Sequence, residues 1–353
     1  MKCIYCGSEG PFDSEHILPR CLGTFEGERH LEDTVCQCCN NRLGNTVDLH
    51  FCRSGPEALF RSFLQIRGRK DHSRFSPYES GPAGPPAAEI LLPYPGEDFP
   101  ALWVLEPGTH NLHPMRQIVL KDKSGAWHPI PVRDRLRTDA ALRAVVSAVM
   151  DGDPVQVHLL WEKGKDDWLP ELVHKTFGFK TISAEKAEME SFSANAQIKL
   201  TVKPEYFRAI AKIAFNFLLQ QTTIRGDEPE FAPIRDFIMN GGDIDRFVRQ
   251  TSDVMIHIPP GMWFDRYGHV LSVARINRRV RAWVAFMVGP EFPGNKYHVE
   301  LGGYPSPLIL PRPQLCGNYY HYYETRSPGG LAGGIDVLTS SRIILPIGRP
   351  PLP

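Results

Sequence analysis

No apolar run in this chain approaches the roughly 18–20 residues needed to cross a bilayer. The opening MKCIYCG leaves no room for the apolar core of a secretory signal before its first cysteines. A membrane-spanning or exported protein is therefore not expected, and the chain is read as cytoplasmic. A charge bias is lacking too: Lys+Arg and Asp+Glu both number 40, for a formal net charge of zero. No global electrostatic pull toward nucleic acid operates, and any such surface must be a local patch. Cysteine is scarce after residue 52, where Cys316 alone remains of the 8 in the chain. That distribution differs from a disulfide framework spread through a secreted fold and suits metal binding in a reducing compartment.

What is present fits an ordinary folded protein, with 42% hydrophobic and 23% charged residues. A length of 353 residues suggests two or three domains. Near the start, KCIYCG and VCQCCNNRLG each carry a CxxC pair, Cys3/Cys6 and Cys36/Cys39. Two residues between cysteines let a tight turn aim both sulfurs at one tetrahedral ion, so these four are expected to hold a structural Zn2+. Cys38 is then the spare, and it, Cys21 and Cys52 are expected to be small core residues. The interval 7–35 is longer than in a plain zinc ribbon and contains SEHILPR, which a ribbon does not need.

Residues 1–52 read as one module with too few apolar residues to fold on a core alone, so the zinc would supply its stability. A short helix is expected from near Asn40. Residues 53–100 read as a connecting helix opened by Pro56, followed by a linker rich in Pro and Gly over 76–100. Residues 101–353 read as a mixed α/β domain. Thr138 is a candidate N-cap, PEYFRAIAKIAFNFLLQQ is a helix buried on nearly all sides, and HVLSVARI, RVRAWVAFMVG and YHVELGG form an antiparallel meander. The expected class is α+β, a small zinc-stabilised finger before a larger domain with an antiparallel C-terminal sheet.

Taken together, CIYCG, SEHILPR, LEDTVC, CQCCNNRLG and the following Asp48 resemble the HNH endonucleases, in the branch carrying CxxC, Glu-His-x-x-Pro and CxxCN. The resemblance covers about the first 50 residues. It implies a ββα-metal finger in which a hairpin and a helix grip one catalytic divalent ion while the knuckles tie the finger together. His16, matching the first His of the motif, would be the general base. Glu15 would be the acidic metal ligand, and Asn40, after the last knuckle cysteine, the second ligand. Asn41 is the runner-up, one position off the motif, and a plain helix N-cap is the alternative reading of Asn40. The chemistry needs these types: a base near neutral pH to take a proton from water, and a cation to stabilise phosphate charge. Oxygen and amide donors suit a hard Mg2+ or Mn2+. The middle Asn of the motif is missing from HLEDTV, so Asp33, or His30 as second choice, would orient His16. Adjacent strand residues point to opposite faces, so Glu15 and His16 can share a centre only at a bulge or strand end.

For DNA contact the densest basic cluster is RINRRVR, with Arg275, Arg278, Arg279 and Arg281, and a second is RGRK, with Arg67, Arg69 and Lys70. The expectation is a metal-dependent HNH endonuclease acting on nucleic acid, foremost DNA, in restriction or anti-phage defence. Zn2+ would be structural and Mg2+ or Mn2+ catalytic, and the C-terminal domain would recognise a substrate, a partner or a signal, with a protein partner or a second copy binding through it. The alternative is a catalytically inactive zinc-finger adaptor that binds nucleic acid.

Overall fold

The computed structural model describes residues 1–23, 30–63, 66, 76–78, 86–105, 112–133, 136–161, 166–178, 182–183, 197–252, 268–288, 293–303 and 316–321. The chain divides into two compact units, one made of Met1–Ala87 and Thr201–Pro353, the other of Ala88–Leu200. Both are mixed α and β with mainly antiparallel sheets.

The first unit begins with an antiparallel hairpin, β1 (Phe12–Glu15) and β2 (Leu31–Cys36). A helical path follows through α1 (Gln37–Leu43), a wide π turn (Gly44–Asp48) and α2 (Leu49–Arg53), then α3 (Gly55–Phe63). Helix α1 starts three residues before Asn40, because Cys36 takes the N-cap position and its sulfur accepts from the Cys39 amide. Asn40 is therefore inside the helix rather than its cap.

The second unit opens with β3 (Ala88–Pro93), inside the stretch expected to be a linker. Its alternating burial and its pairing on both sides explain why the prolines do not break it: Pro93 falls at the strand end, opposite Pro100. Strands β4 (Pro100–Leu105) and β5 (Leu112–Pro114) follow, then β6 (Gln117–Lys121) and β7 (Trp127–Pro131). Helix α4 (Asp139–Val149) has Thr138 as its N-cap, with Oγ1 accepting from Ala141 N at 3.2 Å, worth about 1 kcal/mol. Strand β8 (Gln156–Leu160), α5 (Trp168–Phe177), β9 (Ile182–Ser183) and β10 (Gln197–Leu200) complete the unit. Two four-stranded sheets result, in the orders β10-β3-β4-β5 and β7-β6-β8-β9. Gln117 joins them by accepting from Leu102 N at 2.8 Å and donating to Leu102 O at 2.9 Å, so a buried side chain does the work of a strand neighbour.

The first unit resumes with α6 (Pro204–Gln221), α7 (Ala232–Asn240) and α8 (Ile244–Phe247). The strands β11 (Val248–Gln250), β12 (Gly268–Ile276), β13 (Arg279–Val288), β14 (Pro293–Gly303) and β15 (Cys316–His321) form one sheet ordered β11-β14-β13-β12-β15. The turn between β12 and β13 has φ of 48° at Asn277 and 62° at Arg278, the two left-handed residues a tight hairpin demands.

Helix α6 is the centre of this unit. Its Ile210, Ile213, Phe215 and Phe217 share one core with Ile17, Leu18, Val35, Leu43 and Val47 of the hairpin module and with Val284, Phe286 and Val299 of the sheet. Phe51 stacks on Tyr206 and leans on Phe286, each at 5.2 Å between ring centres. The first 52 residues thus do not rely on metal alone, because their apolar residues share one core with residues beyond 200. At the start of α3, Gly55 (φ 74°) lies so close to Tyr206 that a Cβ would come within 2.7 Å of the ring. Beside it Tyr206 donates to the buried carboxyl of Glu57, and Asn295 donates to the other Glu57 oxygen at 3.0 Å. Burial pushes the Glu57 carboxyl up to about 7, against partial relief from those two hydrogen bonds.

Candidate metal centre and active site

The Sγ atoms of Cys3, Cys6, Cys36 and Cys39 all lie within 4.8 Å of one another, and they could hold a zinc ion. The local chain explains the convergence. Cys3 O accepts from Gly7 N at 2.8 Å, closing a tight turn that brings Cys6 back beside Cys3, and Ile4 N reaches Thr34 O of β2 at 3.2 Å. On the other side Cys36 ends β2 and Cys39 lies in the first turn of α1, so strand and helix present the second pair. Backbone amides point at sulfur, Cys36 N to Cys3 Sγ at 3.4 Å and Cys39 N to Cys36 Sγ at 3.5 Å. Burial and neighbouring sulfurs push the Cys39 thiol far up. At Cys36 burial is outweighed by hydrogen bonds from Ser8, the Cys39 amide and Cys6, which hold its thiol at about 6.

The other cysteines differ from expectation. Cys38 is exposed rather than in the core, because it faces outward on α1 while Cys39 faces in. Cys21 and Cys52 form a disulfide with 5.7 Å between Cα atoms, joining the short turn Arg20–Leu22 to α2. They do lie against the core, but as a covalent tie between residues 31 apart in sequence.

Glu15 ends β1 and His16 follows it, and the two part: Glu15 is buried while His16 is partly exposed. The Glu15 side chain is buried and meets Lys212 Nζ of α6 at 2.6 Å; the same ammonium reaches Asp48 Oδ2 at 2.7 Å. Burial alone would lower the Lys212 pKa, but the Asp48 and Glu15 carboxylates hold it well above the usual lysine range. Burial raises the Glu15 carboxyl in spite of Lys212. Asn216, one turn further along α6, donates to Glu15 Oε1 and to the His16 carbonyl, both at 3.1 Å. Glu15 as a ligand of a catalytic ion is thus corrected: its carboxylate is buried and its Oε1 is shared by a lysine and an amide. The bulge that would have let residues 15 and 16 face one centre does exist, but it lies in β2. Asp13 pairs with Val35 and Glu15 with Leu31, so three residues of β2 stand opposite Ser14.

The surface side of the hairpin is polar. Arg20 Nε donates to His16 Nε2 at 2.9 Å, so that nitrogen carries a lone pair and not a proton. The His16 ring lies 4.1 Å from that of His30, edge on. Ser14 Oγ donates to Glu32 Oε1 at 2.9 Å, which leaves its lone pairs to accept from His30 Nδ1, also at 2.9 Å. Asp33, the first choice for orienting His16, is instead the left-handed residue of the bulge (φ 51°) and is exposed. The second choice, His30, is the one in ring contact. Asn40 Nδ2 donates to Asp13 Oδ2 at 3.1 Å, so strand β1 and helix α1 bring an amide and a carboxylate together. Asn41 is exposed on α1.

Of the basic residues, Arg278 stands exposed at the β12–β13 turn, while Arg279 and Arg281 both meet Glu300 of β14, at 3.5 and 3.0 Å. The run had no acid within it in sequence; the sheet supplies one from the neighbouring strand. Arg275 is half-buried on β12, and Arg67, Arg69 and Lys70 lie outside the described residues.

Sequence reasoning missed Asp13, Arg20, Lys212 and Asn216. For the last two a signal was present: Arg208, Lys212 and Asn216 recur every four residues through the largely apolar middle of α6, and a polar stripe inside a buried helix must meet partners. No helix among the described residues is long and apolar enough to cross a membrane. No protein-family model matches the chain, and neither curated proteins nor solved structures provide a significant match.

Proposed function

We propose that the chain is a metal-dependent endonuclease of the HNH type, hydrolysing phosphodiester bonds of nucleic acid, DNA foremost. The observation that supports this reading is a hairpin followed by a helix whose ends bring four sulfurs together, with an imidazole just after β1 whose Nε2 accepts from Arg20, and a carboxylate–amide pair joining β1 to α1. In it His16 takes a proton from the attacking water once Arg20 turns to the phosphate, a natural partner for a guanidinium. Asp13 and Asn40 replace Glu15 as the oxygen donors to Mg2+ or Mn2+, an amide turned to present its oxygen being a fitting ligand for a hard ion. The four sulfurs hold zinc, which keeps β2 and α1 in register. Arg278 and its neighbours would meet backbone phosphates without reading sequence.

One observation favours a second reading. Lys212 fills the space between Glu15 and Asp48 with an ammonium, which suits a finger that binds nucleic acid and cuts nothing. Supercoiled plasmid incubated with Mg2+ or Mn2+, with EDTA as the control, separates the two. His16→Ala should lower nicking at least about 10²-fold, as loss of a general base does, with zinc content and melting temperature unchanged. A chain that nicks nothing with either metal, or an alanine variant that nicks as before, overturns the endonuclease reading.

A further inference from the structure

We propose that Asn216 and Lys212 of α6 are positioning residues that set the main chain, and so the ring, of His16. This rests on His16 being the working group of the site, as argued above.

The geometry has three contacts converging on two consecutive residues. One Asn216 amide nitrogen serves both Glu15 Oε1 and the His16 carbonyl, at 3.1 Å each, and Lys212 holds the same Glu15 carboxylate at 2.6 Å. The anchoring side is rigid by burial: Lys212 is 2% exposed, Asn216 0% and Glu15 3%. The working side is partly exposed, and the His16 ring there meets Arg20 and His30. His16 follows the last residue of β1, so no ladder pairing fixes its peptide. A carbonyl held from α6 constrains that peptide from the buried side. Lys212 in turn is held by Asp48, at the end of the π turn that links α1 to α2, so the helix carrying Asn40 and the strand end carrying His16 are referred to one ammonium.

A group of this kind acts by placement: a shift of about 1 Å at a reacting group can cost on the order of 10²-fold in rate. Removing the Asn216 donors should therefore lower kcat and leave KM nearly unchanged, since Asn216 is buried away from any substrate. A merely structural asparagine would lower the fraction of folded molecules instead.

The test compares wild type, Asn216→Ala and Asn216→Ser in full-length, zinc-loaded protein, the serine keeping one donor. Cleavage of a fluorescent DNA duplex with Mn2+ is expressed per zinc-loaded molecule. In parallel, the rate at which diethyl pyrocarbonate modifies His16 is read by peptide mass spectrometry. The expected result is a kcat loss of about tenfold to 10²-fold for alanine, less for serine, with KM within about twofold and faster modification of His16 as its bond to Arg20 loosens. If alanine fails to fold, serine alone decides. Unchanged kcat per zinc-loaded molecule together with an unchanged His16 modification rate overturns the proposal. Should the wild type cleave nothing, the endonuclease reading falls, while the modification rate still decides whether Asn216 sets the ring.

Discussion

Glu57→Gln should stabilise the protein at neutral and higher pH, by an amount the structure allows to be worked out. Burial raises the Glu57 carboxyl from 4.5 to about 7, and each pH unit of such a displacement corresponds to about 1.36 kcal/mol. The product is about 3 kcal/mol. Because the folded-state value is the higher one, the stability from a protonated Glu57 is complete below pH 4.5 and lost as pH rises to about 7. Above that pH the loss is complete. Glutamine cannot ionise, and its amide oxygen can still accept from Tyr206, while Asn295 needs only to turn its own amide over. The difference in unfolding free energy between variant and wild type should grow by about 3 kcal/mol between pH 4.5 and 8 and stay level beyond. Urea unfolding at half-unit pH intervals, at constant zinc, measures it. Other titrating groups cancel in the difference, including buried His269, whose imidazole burial lowers to about 3. A difference that does not change with pH would refute the claim that Glu57 is held neutral by burial.

Cys36→Ser should remove one thiolate that faces the other three sulfurs and lower bound zinc from about one ion per chain to near none by elemental analysis. The unit should lose stability without unfolding wholly, since its hairpin shares a core with α6. Full retention of zinc would show that the four sulfurs are not its ligands. Arg278→Ala should weaken binding to any DNA sequence alike and lower the slope of log affinity against log salt by about 0.9, one phosphate contact. Arg281→Ala should change it less, because Glu300 already neutralises that side chain. Equal effects at the two positions would refute the distinction.

Much of the architecture was legible where local chemistry decides it. Thr138 caps α4, Pro204 starts α6, and two CxxC pairs converge, because a cap, a ring and a two-residue turn are properties of a few neighbouring residues. What the sequence hid depends on long-range partners. Glu15 read as a metal ligand because Lys212, 2.6 Å away in space, lies 197 positions further along the chain. Arg281 read as free charge because Glu300 arrives only when β14 pairs with β13. The disulfide between Cys21 and Cys52 needed the path of α2, and strand β3 needed its partner β10. One unit boundary falls inside the Pro/Gly-rich stretch 76–100, between Ala87 and Ala88, whereas the second, after Leu200, follows strand pairing, which composition does not encode.

The hairpin and α6 lie on either side of an inserted unit whose first and last residues, Ala88 and Leu200, are paired neighbours. A ribosome therefore completes the insert before it makes the helix that Glu15 and Asp48 are waiting for. Through that interval Glu15 and Asp48 are two carboxylates without the ammonium that pairs them in the folded chain.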